Sequence, residues 1–150
     1  MVTKENIDKF LANKQIAIVG ASRKPKSFSA QVASHLQKIG YEVFYVNPAF
    51  VDETGDIYHF ADINQLPEHV DAVLFLTSKT RTKELVEASI NKGIKNLWIQ
   101  QMSDTPEAVE VALKAGVNLV FHNCIFMFTN PVGVHKFHYC IKKFFGGMPK

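Results

Sequence analysis

The sequence predicts a single α/β domain in which helices cover both faces of a doubly wound parallel sheet, giving three layers. Short apolar runs alternate along the chain with segments that carry apolar residues at helical spacing. The run at residues 72–76 is apolar throughout, which is typical of a strand buried on both faces. The length of 150 residues suits one domain, and no repeat, low-complexity stretch or linker divides it.

Turn and cap residues mark the ends of the predicted helices. Thr3 is the expected N-cap of the first helix, and Gly40 is expected to end the second. Ser103 or Asp104 is expected to cap a helix that carries Pro106 near its first turn. The predicted helices cover residues 3–11, 29–39, 81–91 and 132–145 (the last one amphipathic), with a further helix ending at 115 and a helical turn near 62–66. The predicted strands cover residues 15–19, 42–46, 72–76, 96–99 and 118–121, with a further short strand at 57–58.

Composition and charge restrict the class of protein. Hydrophobic residues make up 47% and charged residues 21%, which is ordinary for a soluble globular protein. No window approaches the roughly 20 apolar residues of a membrane span, and the N-terminus lacks the apolar core of a signal peptide. Cys124 and Cys140 show no zinc-binding spacing, so we expect free thiols and a cytoplasmic location. The net charge of +3 is compatible with a small anionic ligand and gives no reason to expect nucleic acid.

Polar residues follow each main predicted strand. In a doubly wound sheet the ligand lies beyond the carboxyl ends of the strands, near the point where the strand order reverses. Loops with polar residues at these ends therefore predict a ligand cleft. They are residues 20–28, 47–48, 77–80, 100–101 and 122–124.

The loop after the first strand has features that suit a phosphate. The apolar run breaks at Gly20, a small and basic loop follows, and a helix begins near Ser29. A helix start offers backbone N–H groups and a positive dipole end to an anion. Together with small and basic side chains, these groups could hold a diphosphate, whereas an ordinary solvated basic loop is the alternative interpretation. The side chains concerned are Ser22, Arg23, Lys24, Lys26 and Ser27.

The same loop lacks the fingerprint of an NAD site. That fingerprint requires glycine at three positions of G-x-G-x-x-G, whereas Ser22 and Pro25 follow Gly20 at the second and third positions. An NAD site also usually has an acidic residue after the second strand, where this chain has Asn47-Pro48. A Walker phosphate loop is absent as well.

Several spaced motifs together resemble a known family. They are IVGAS at 18–22, GYEVFYVNP at 40–48, LP at 66–67 with VDAV at 70–73, LWIQQ at 97–101 and NCI at 123–125. In this order they resemble the small CoA-binding proteins. The single Rossmann-like domain of those proteins is similar to the N-terminal CoA-binding domain of the succinyl-CoA synthetase α subunit and of the ADP-forming acyl-CoA synthetases. The resemblance spans about residues 10–128.

The resemblance implies coenzyme A or an acyl-CoA as the ligand. The larger relatives carry a phosphorylated histidine in a second domain that these 150 residues do not contain. We therefore expect a regulatory or carrier module that binds CoA without catalysis of its own, and we expect Gly20→Val to abolish binding in a folded protein. The implied CoA-binding residues are Gly20, Ala21, Ser22, Arg23, Lys24, Lys26, Ser27 and Phe28 at the diphosphate, Asn47 and Pro48 at the adenosine, Thr77, Ser78 and Lys79 in the middle, Trp98, Gln100 and Gln101 at the pantetheine arm, and Asn123 and Cys124 after the last strand.

Two further groups could carry chemistry. Cys124, with His122 nearby, is a weak candidate nucleophile, although a buried thiol is the more common role of a free cysteine. His135 and His138 have a spacing that could bind a metal, but no third ligand is evident, so a solvated basic face of the last helix is favoured and no metal is expected. The Phe-rich apolar face of that helix could form a homodimer contact.

Three hypotheses therefore remain open. The first is a CoA or acyl-CoA binding module. The second is a Rossmann-type enzyme, either NAD(P)-dependent or transferring an acyl group through Cys124. The third is an interaction protein with a vestigial cleft, whose C-terminal helix binds a partner.

Overall fold

The computed structural model describes residues 1–51 and 56–129. Over these residues the chain alternates between strands and helices, as predicted. The helices are α1 Lys4–Leu11, α2 Phe28–Lys38, α3 Lys79–Lys92, α4 Pro106–Lys114 and α5 Phe126–Thr129, with 3-10 turns at Pro48–Phe50 and Ile63–Gln65. The strands are β1 Gln15–Val19, β2 Glu42–Val46, β3 His59–Phe60, β4 Ala72–Phe75, β5 Asn96–Gln100 and β6 Asn118–Asn123.

The six described strands form one sheet in the order β3-β2-β1-β4-β5-β6, and every neighbouring pair is parallel. The chain moves outward from β1 to β3, then returns to the middle at β4 and moves outward in the other direction. The order reverses between β1 and β4, which is where such sheets bind ligands. The predicted doubly wound, Rossmann-like α/β fold is confirmed.

Apolar side chains cover both faces of the sheet. Ile16 and Ile18 pack with residues of α1 and α2 on one face, and Ala17 and Val19 pack with residues of α3 and α4 on the other. Successive residues of a strand point to opposite faces, so a strand that is apolar throughout can support both layers. The sheet therefore forms the middle of three layers.

The predicted caps are partly correct. Thr3 caps α1, since its hydroxyl accepts a hydrogen bond from the N–H of Asn6 at 3.2 Å. The prediction of Ser103 or Asp104 as the cap of α4 is wrong, because Thr105 accepts the bond from Ala108 N at 3.2 Å. Ser103 and Asp104 instead accept bonds from Thr77 N, in the loop after β4, and from His122 N, near the end of β6.

Other boundaries differ by a few residues. The short strand predicted at 57–58 lies at His59–Phe60, and α3 begins at Lys79, two residues earlier than predicted. The predicted helix at 132–145, with His135, His138 and Cys140, lies outside the described residues. Within the described ranges, no helix has both the length and the apolar character needed to cross a membrane.

Amide side chains join the amino ends of the strands, opposite the predicted site. Asn118 Nδ2 donates to Asn6 O at 3.0 Å, and Asn6 Nδ2 donates to Asn118 Oδ1 at 3.0 Å. Asn96 Nδ2 donates to Asp71 Oδ2 at 3.0 Å. These bonds fix α1 to β6 and the start of β5 to the turn before β4, so the amino ends of these strands are engaged in contacts that stabilise the fold.

Candidate functional site

Gly20 brings the carboxyl ends of β1 and β4 into direct backbone contact. Its φ is +91°, and a Cβ added there would lie 2.3 Å from Leu76 O and 2.8 Å from Leu76 C. Real Cβ atoms do not approach a backbone atom this closely, and L side chains rarely adopt this φ. Glycine is therefore required at this position by the fold itself.

Most backbone N–H groups of the Gly20 loop already have acceptors within the protein. Those of Gly20 and Ala21 donate to Val46 O at 3.0 and 3.3 Å. The N–H of Ser22 donates to Ser29 Oγ at 2.9 Å, and that of Lys24 donates to Ser22 Oγ at 3.1 Å. The N–H groups at Gly20 to Ser22 therefore contribute to folding the loop and are not directed at a ligand.

Two cavities meet at Gly20 over the carboxyl edge. The first arm, of about 450 Å³, lies between the loop after β2 and α3, and the second arm, of about 460 Å³, lies between the start of α2 and the loop after β5. Both arms share Gly20, Leu76, Thr77 and Ser78. They therefore form a single cleft, centred on the switch point between β1 and β4.

The start of α2 lines the second arm with hydroxyl groups. Ser27 Oγ accepts the capping bond from Ala30 N at 3.2 Å and lies 3.2 Å from Ser29 Oγ. The first turn of α2 contains no acidic residue. This part of the cleft thus combines hydroxyl donors with the positive end of a helix dipole.

The start of α3 lies where the two arms meet. Its N-cap Ser78 makes no side-chain capping bond, and its Oγ lies 3.1 Å from Thr80 Oγ1. Lys79 and Arg81 lie in the first turn without an acidic residue, although Arg81 Nε lies 3.3 Å from a Glu84 carboxylate oxygen one turn further on. A second helix N-terminus with nearby positive charge thus borders the cleft.

Asn47 connects the loops after β1 and β2. Its Nδ2 donates to Ala21 O at 2.6 Å, and its Oδ1 accepts from Ala49 N at 2.8 Å. Arg23 donates to Ala49 O at 2.7 Å, and its guanidinium carbon lies 5.4 Å from the centre of the Phe50 ring. An amide engaged in the fold therefore occupies the position where an NAD site has its acidic residue.

The side chain of Trp98 lies in the core. It is fully buried, its indole N–H donates to Asn123 O at 3.1 Å, and it packs against Phe10 and Phe128. The Trp98 side chain therefore does not line the cleft in which a pantetheine arm was expected to contact it. Tryptophan is simply the largest buried side chain of the sheet.

Cys124 is 1% exposed, and Gln100 Nε2 donates to its Sγ at 3.1 Å. Burial raises the pKa of the Cys124 thiol, whereas a nucleophilic cysteine needs a lowered pKa. His122 instead contacts the Asp104 carboxylate through its imidazole Nδ1. The structure thus does not bring Cys124 and His122 together as a nucleophile and its base.

The cleft gathers ten of the eighteen predicted binding residues. Ala21, Trp98 and Cys124 are buried in the core, Arg23 lies against Phe50, and Asn123 lies in a different groove beside α1. Lys24, Lys26 and Lys79 are exposed near the cleft without lining it. Those that line the cleft are Gly20, Ser22, Ser27, Phe28, Asn47, Pro48, Thr77, Ser78, Gln100 and Gln101.

Several lining residues were not predicted. Arg81, Leu85 and Ala88 lie at successive turns of α3 and form one wall of the first arm. Their i, i+4 and i, i+3 spacing was visible in the sequence, and the rule for ligand position applies to the helix after a strand as well as to the loop. The others are Val19, Val46, Ala61, Asp62, Ile63 and Glu84 in the first arm, Ser29, Met102 and Ser103 in the second, and Leu76 in both.

The structure allows a search for metal sites only among the residues that it describes. Residues 1–51 and 56–129 contain no group of three or more His, Cys, Asp or Glu side chains arranged to hold a metal ion. His135 and His138 lie beyond these ranges. The cleft itself is lined mainly by hydroxyl, amide and apolar groups, which suit an organic ligand.

Comparison with known proteins identifies the family. The family model described as CoA binding domain matches residues 14–130. The α subunit of acetate–CoA ligase [ADP-forming] II from Pyrococcus furiosus is 25% identical over 130 residues, which are 79% of this chain and 28% of the subunit. The uncharacterised protein YneT from Bacillus subtilis is 26% identical over 113 residues, covering 75% of this chain and 83% of YneT. A hypothetical protein from Pyrococcus horikoshii OT3 has a structure that superposes with a TM-score of 0.74 at 32% identity, covering 84% of this chain and 89% of that one.

The match to the family model includes the Gly20 loop, the strands that surround the cleft and the loop after β6. The chain spans little more than a quarter of the ligase subunit, at 28% of its length, so the similarity concerns one domain of that protein. The sequence motifs, the Rossmann-like sheet and the family model agree with one another. The chain belongs to the CoA binding domain family.

Proposed function

We propose that this chain binds coenzyme A or an acyl-CoA in the two-armed cleft, with the adenosine in the first arm and the pantetheine in the second. The observation that carries the proposal is a cleft with two arms that meet at the switch point, in a chain of the CoA binding domain family. CoA has two chemically different ends joined by a diphosphate, so a cleft with two arms that meet suits it. The function proposed is that of a binding module, regulatory or carrier, without catalysis of its own.

The diphosphate would meet hydroxyl groups and helix dipoles in this arrangement. Ser22, Ser27 and Ser29 carry three hydroxyl hydrogens, and the contact between Ser27 and Ser29 uses one of them. The others can donate to phosphate oxygens. The positive ends of α2 and α3 and the exposed Lys24 and Lys26 add favourable charge.

The loop after β2 argues against NAD as the ligand. An acidic side chain that accepts from both ribose hydroxyls is the usual NAD contact at this position. Asn47 uses both its amide nitrogen and its amide oxygen for backbone groups of Ala21 and Ala49. We therefore expect the protein to bind CoA with higher affinity than NAD(H).

The buried thiol argues against acyl transfer through Cys124. A nucleophile of this type must be accessible and largely ionised. Cys124 is 1% exposed, and its burial raises the pKa of its thiol. An acyl-enzyme at this residue would require the turn at the end of β6 to open.

A charge placed on the diphosphate position tests the proposal. Ser22→Asp adds a negative charge to the wall of the second arm, and we expect it to weaken CoA binding at least tenfold, about 1.4 kcal/mol. Ser34→Asp is the matched control, because Ser34 is exposed on α2 outside both arms and receives the same charge. Binding is measured by titration calorimetry at constant ionic strength, since the effect is electrostatic.

A ligand panel separates this function from its alternatives. CoA at about 100 times its Kd should stabilise the wild-type protein by roughly 2.7 kcal/mol in thermal unfolding. No stabilisation by millimolar CoA, together with clear stabilisation by NAD(H), would show that the cleft is a dinucleotide site. Equal weakening by Ser22→Asp and Ser34→Asp would show that the ligand lies elsewhere.

A further inference from the structure

A third cavity lies outside the two arms, between α2 and the edge of the sheet that β2 and β3 form. Its volume is about 340 Å³, which falls within the range of small-molecule sites. Residues of α2 form one wall, and the opposite wall contains Arg23, Tyr45, Phe50 and His59. We call this cavity the side pocket.

The α2 wall of the side pocket consists mainly of short side chains. It is formed, at the spacing of one helix face, by Ala30, Ala33, Ser34 and Gln37. Ala33 is buried, whereas Ser34 is exposed and carries a hydroxyl. The two alanines therefore leave space beside the sheet and give the side pocket an apolar surface.

Arg23 brings a permanent positive charge to the side pocket. One of its terminal nitrogens donates to Ala49 O at 2.7 Å, and its guanidinium carbon lies 5.4 Å from the centre of the Phe50 ring. A guanidinium presents N–H donors in a fixed fork that matches the oxygens of a carboxylate or a phosphate. The contacts with Ala49 and Phe50 therefore position a group that recognises anions at this pocket.

Two stacked rings form the sheet side of the pocket. Tyr45 and His59 are partners in the parallel register of β2 and β3, and their ring centres lie 4.7 Å apart. Gln37 Nε2 donates to the Tyr45 hydroxyl at 3.1 Å, so the hydroxyl hydrogen is available for another acceptor. Burial raises the pKa of Tyr45, so the hydroxyl keeps this hydrogen at neutral pH. His59 Nδ1 lies 2.7 Å from Asp56 Oδ2, and Asp56 does not line the side pocket.

The chemistry of the lining indicates the charge of a ligand. The described residues that line the side pocket bring a guanidinium, an imidazole and hydroxyl groups, and none of them carries a carboxylate. Such donors, without a competing negative charge, favour an anion. We propose that the side pocket is a second ligand site, which binds a small organic anion such as a phosphate ester, with its apolar part against Ala30, Ala33 and Phe50.

Two serines separate the side pocket from the CoA cleft. Ser22 and Ser29 line both the side pocket and the second arm, and the Ser22 N–H donates to Ser29 Oγ at 2.9 Å. These residues therefore form a wall that the two cavities share, whereas the first arm has no described lining residue in common with the side pocket. The second site does not depend on CoA binding, and both ligands can be bound at the same time.

Phenyl phosphate is the probe for this site, with benzyl alcohol as the uncharged comparison. We expect phenyl phosphate to shift the backbone amide resonances of Ala30, Ser34 and His59 saturably, with a Kd of roughly millimolar for a ligand of about eleven non-hydrogen atoms. Arg23→Gln should weaken this binding at least about tenfold. Lys38→Gln is the matched control, because it removes the same charge from an exposed residue at the end of α2 that does not line the pocket.

A second variant and a competition experiment complete the test. Tyr45→Phe removes the hydroxyl and keeps the ring, and we expect it to weaken binding about threefold or more. Equal weakening by Arg23→Gln and Lys38→Gln, or equal binding of benzyl alcohol, would overturn the anion site. Displacement of phenyl phosphate by CoA would show that the pocket is part of the CoA site, and dephospho-CoA would then show whether the 3′-phosphate is responsible. Absence of CoA binding would overturn the proposed function and leave the second site intact.

Discussion

The contact between Gly20 and Leu76 gives the most direct quantitative test of how this cleft is built. In Gly20→Ala the new Cβ would lie 2.3 Å from Leu76 O, and φ would remain at +91°. The backbone conformation costs an alanine about 1–2 kcal/mol. Relief of the overlap adds about 1–3 kcal/mol, as in overpacked cores. We therefore expect a loss of about 2–5 kcal/mol in the free energy of unfolding.

Gly40→Ala provides the matched control. Gly40 has nearly the same φ, +97°, but no atom lies within 4 Å of its added Cβ. The control carries the conformational cost of about 1–2 kcal/mol and the same change in the unfolded chain. The difference between the two variants therefore isolates the contact with Leu76.

Urea unfolding monitored by circular dichroism measures both variants, with the m-value as a check that the transition stays two-state. For a protein of this size, 1 kcal/mol corresponds to about 2–4 °C in Tm. Equal losses for Gly20→Ala and Gly40→Ala would refute the argument that Gly20 is required by close backbone approach. A valine at position 20 would meet the same overlap with Leu76. We therefore expect Gly20→Val to lower the stability of the fold as well as CoA binding, which differs from the expectation drawn from the sequence.

Two further predictions concern titratable groups. In a Cys140→Ala background, we expect Cys124 of the folded protein to react with a disulfide reagent at about pH 8 at least tenfold more slowly than Cys124 of the protein unfolded in guanidinium. The reason is that burial shields the thiol and raises its pKa. Similar rates in the two states would show that the turn at the end of β6 is open. Burial lowers the pKa of His35 in the folded protein, so near the ordinary His pKa the unfolded state binds more protons and stability falls as pH decreases. We therefore expect His35→Gln to flatten the pH dependence of Tm between about pH 7.5 and 5.5, and an unchanged slope would contradict this cause.

The strands could be predicted closely because each buried run is bounded by polar residues. The bounds of β1 and β2 agree with the sequence pattern, since Gln15 and Glu42 begin these runs and Gly20 and Asn47 follow them. β3 was misplaced by two residues because it is only two residues long and pairs with one neighbour, so it leaves little pattern in the sequence. Short edge strands depend on tertiary contacts more than on local preference.

The cap of α4 shows a second limit. Ser103, Asp104 and Thr105 are consecutive, and each residue type is a good N-cap. Hydrogen bonds from residues distant in sequence determine which of them caps the helix. Thr77 N donates to Ser103 and His122 N donates to Asp104, so the cap is formed by Thr105. Local sequence carries no record of these partners, so it left Thr105 indistinguishable from its neighbours.

The location of the cleft could be predicted, but the direction of several side chains could not. The rule of the switch point identified the loops around Gly20, Asn47 and Thr77. The β5 strand, however, is buried along its whole length, so nothing in its pattern shows which face Trp98 occupies. A strand between two buried faces lacks the polar alternation that would reveal direction.

The serine at the second position of the glycine fingerprint is explained by the hydrogen bonds of the loop. In a dinucleotide site a glycine at this position allows the backbone to approach the pyrophosphate. Here the backbone N–H of Ser22 donates to Ser29 Oγ, and the Ser22 side chain lines the second arm. A side-chain hydroxyl reaches further than a backbone N–H, so the diphosphate of the proposed CoA would lie further from the chain and would not require a glycine. Gly20 is then retained for its contact with Leu76, and Ser22→Gly should weaken CoA binding although it brings the sequence closer to the dinucleotide fingerprint.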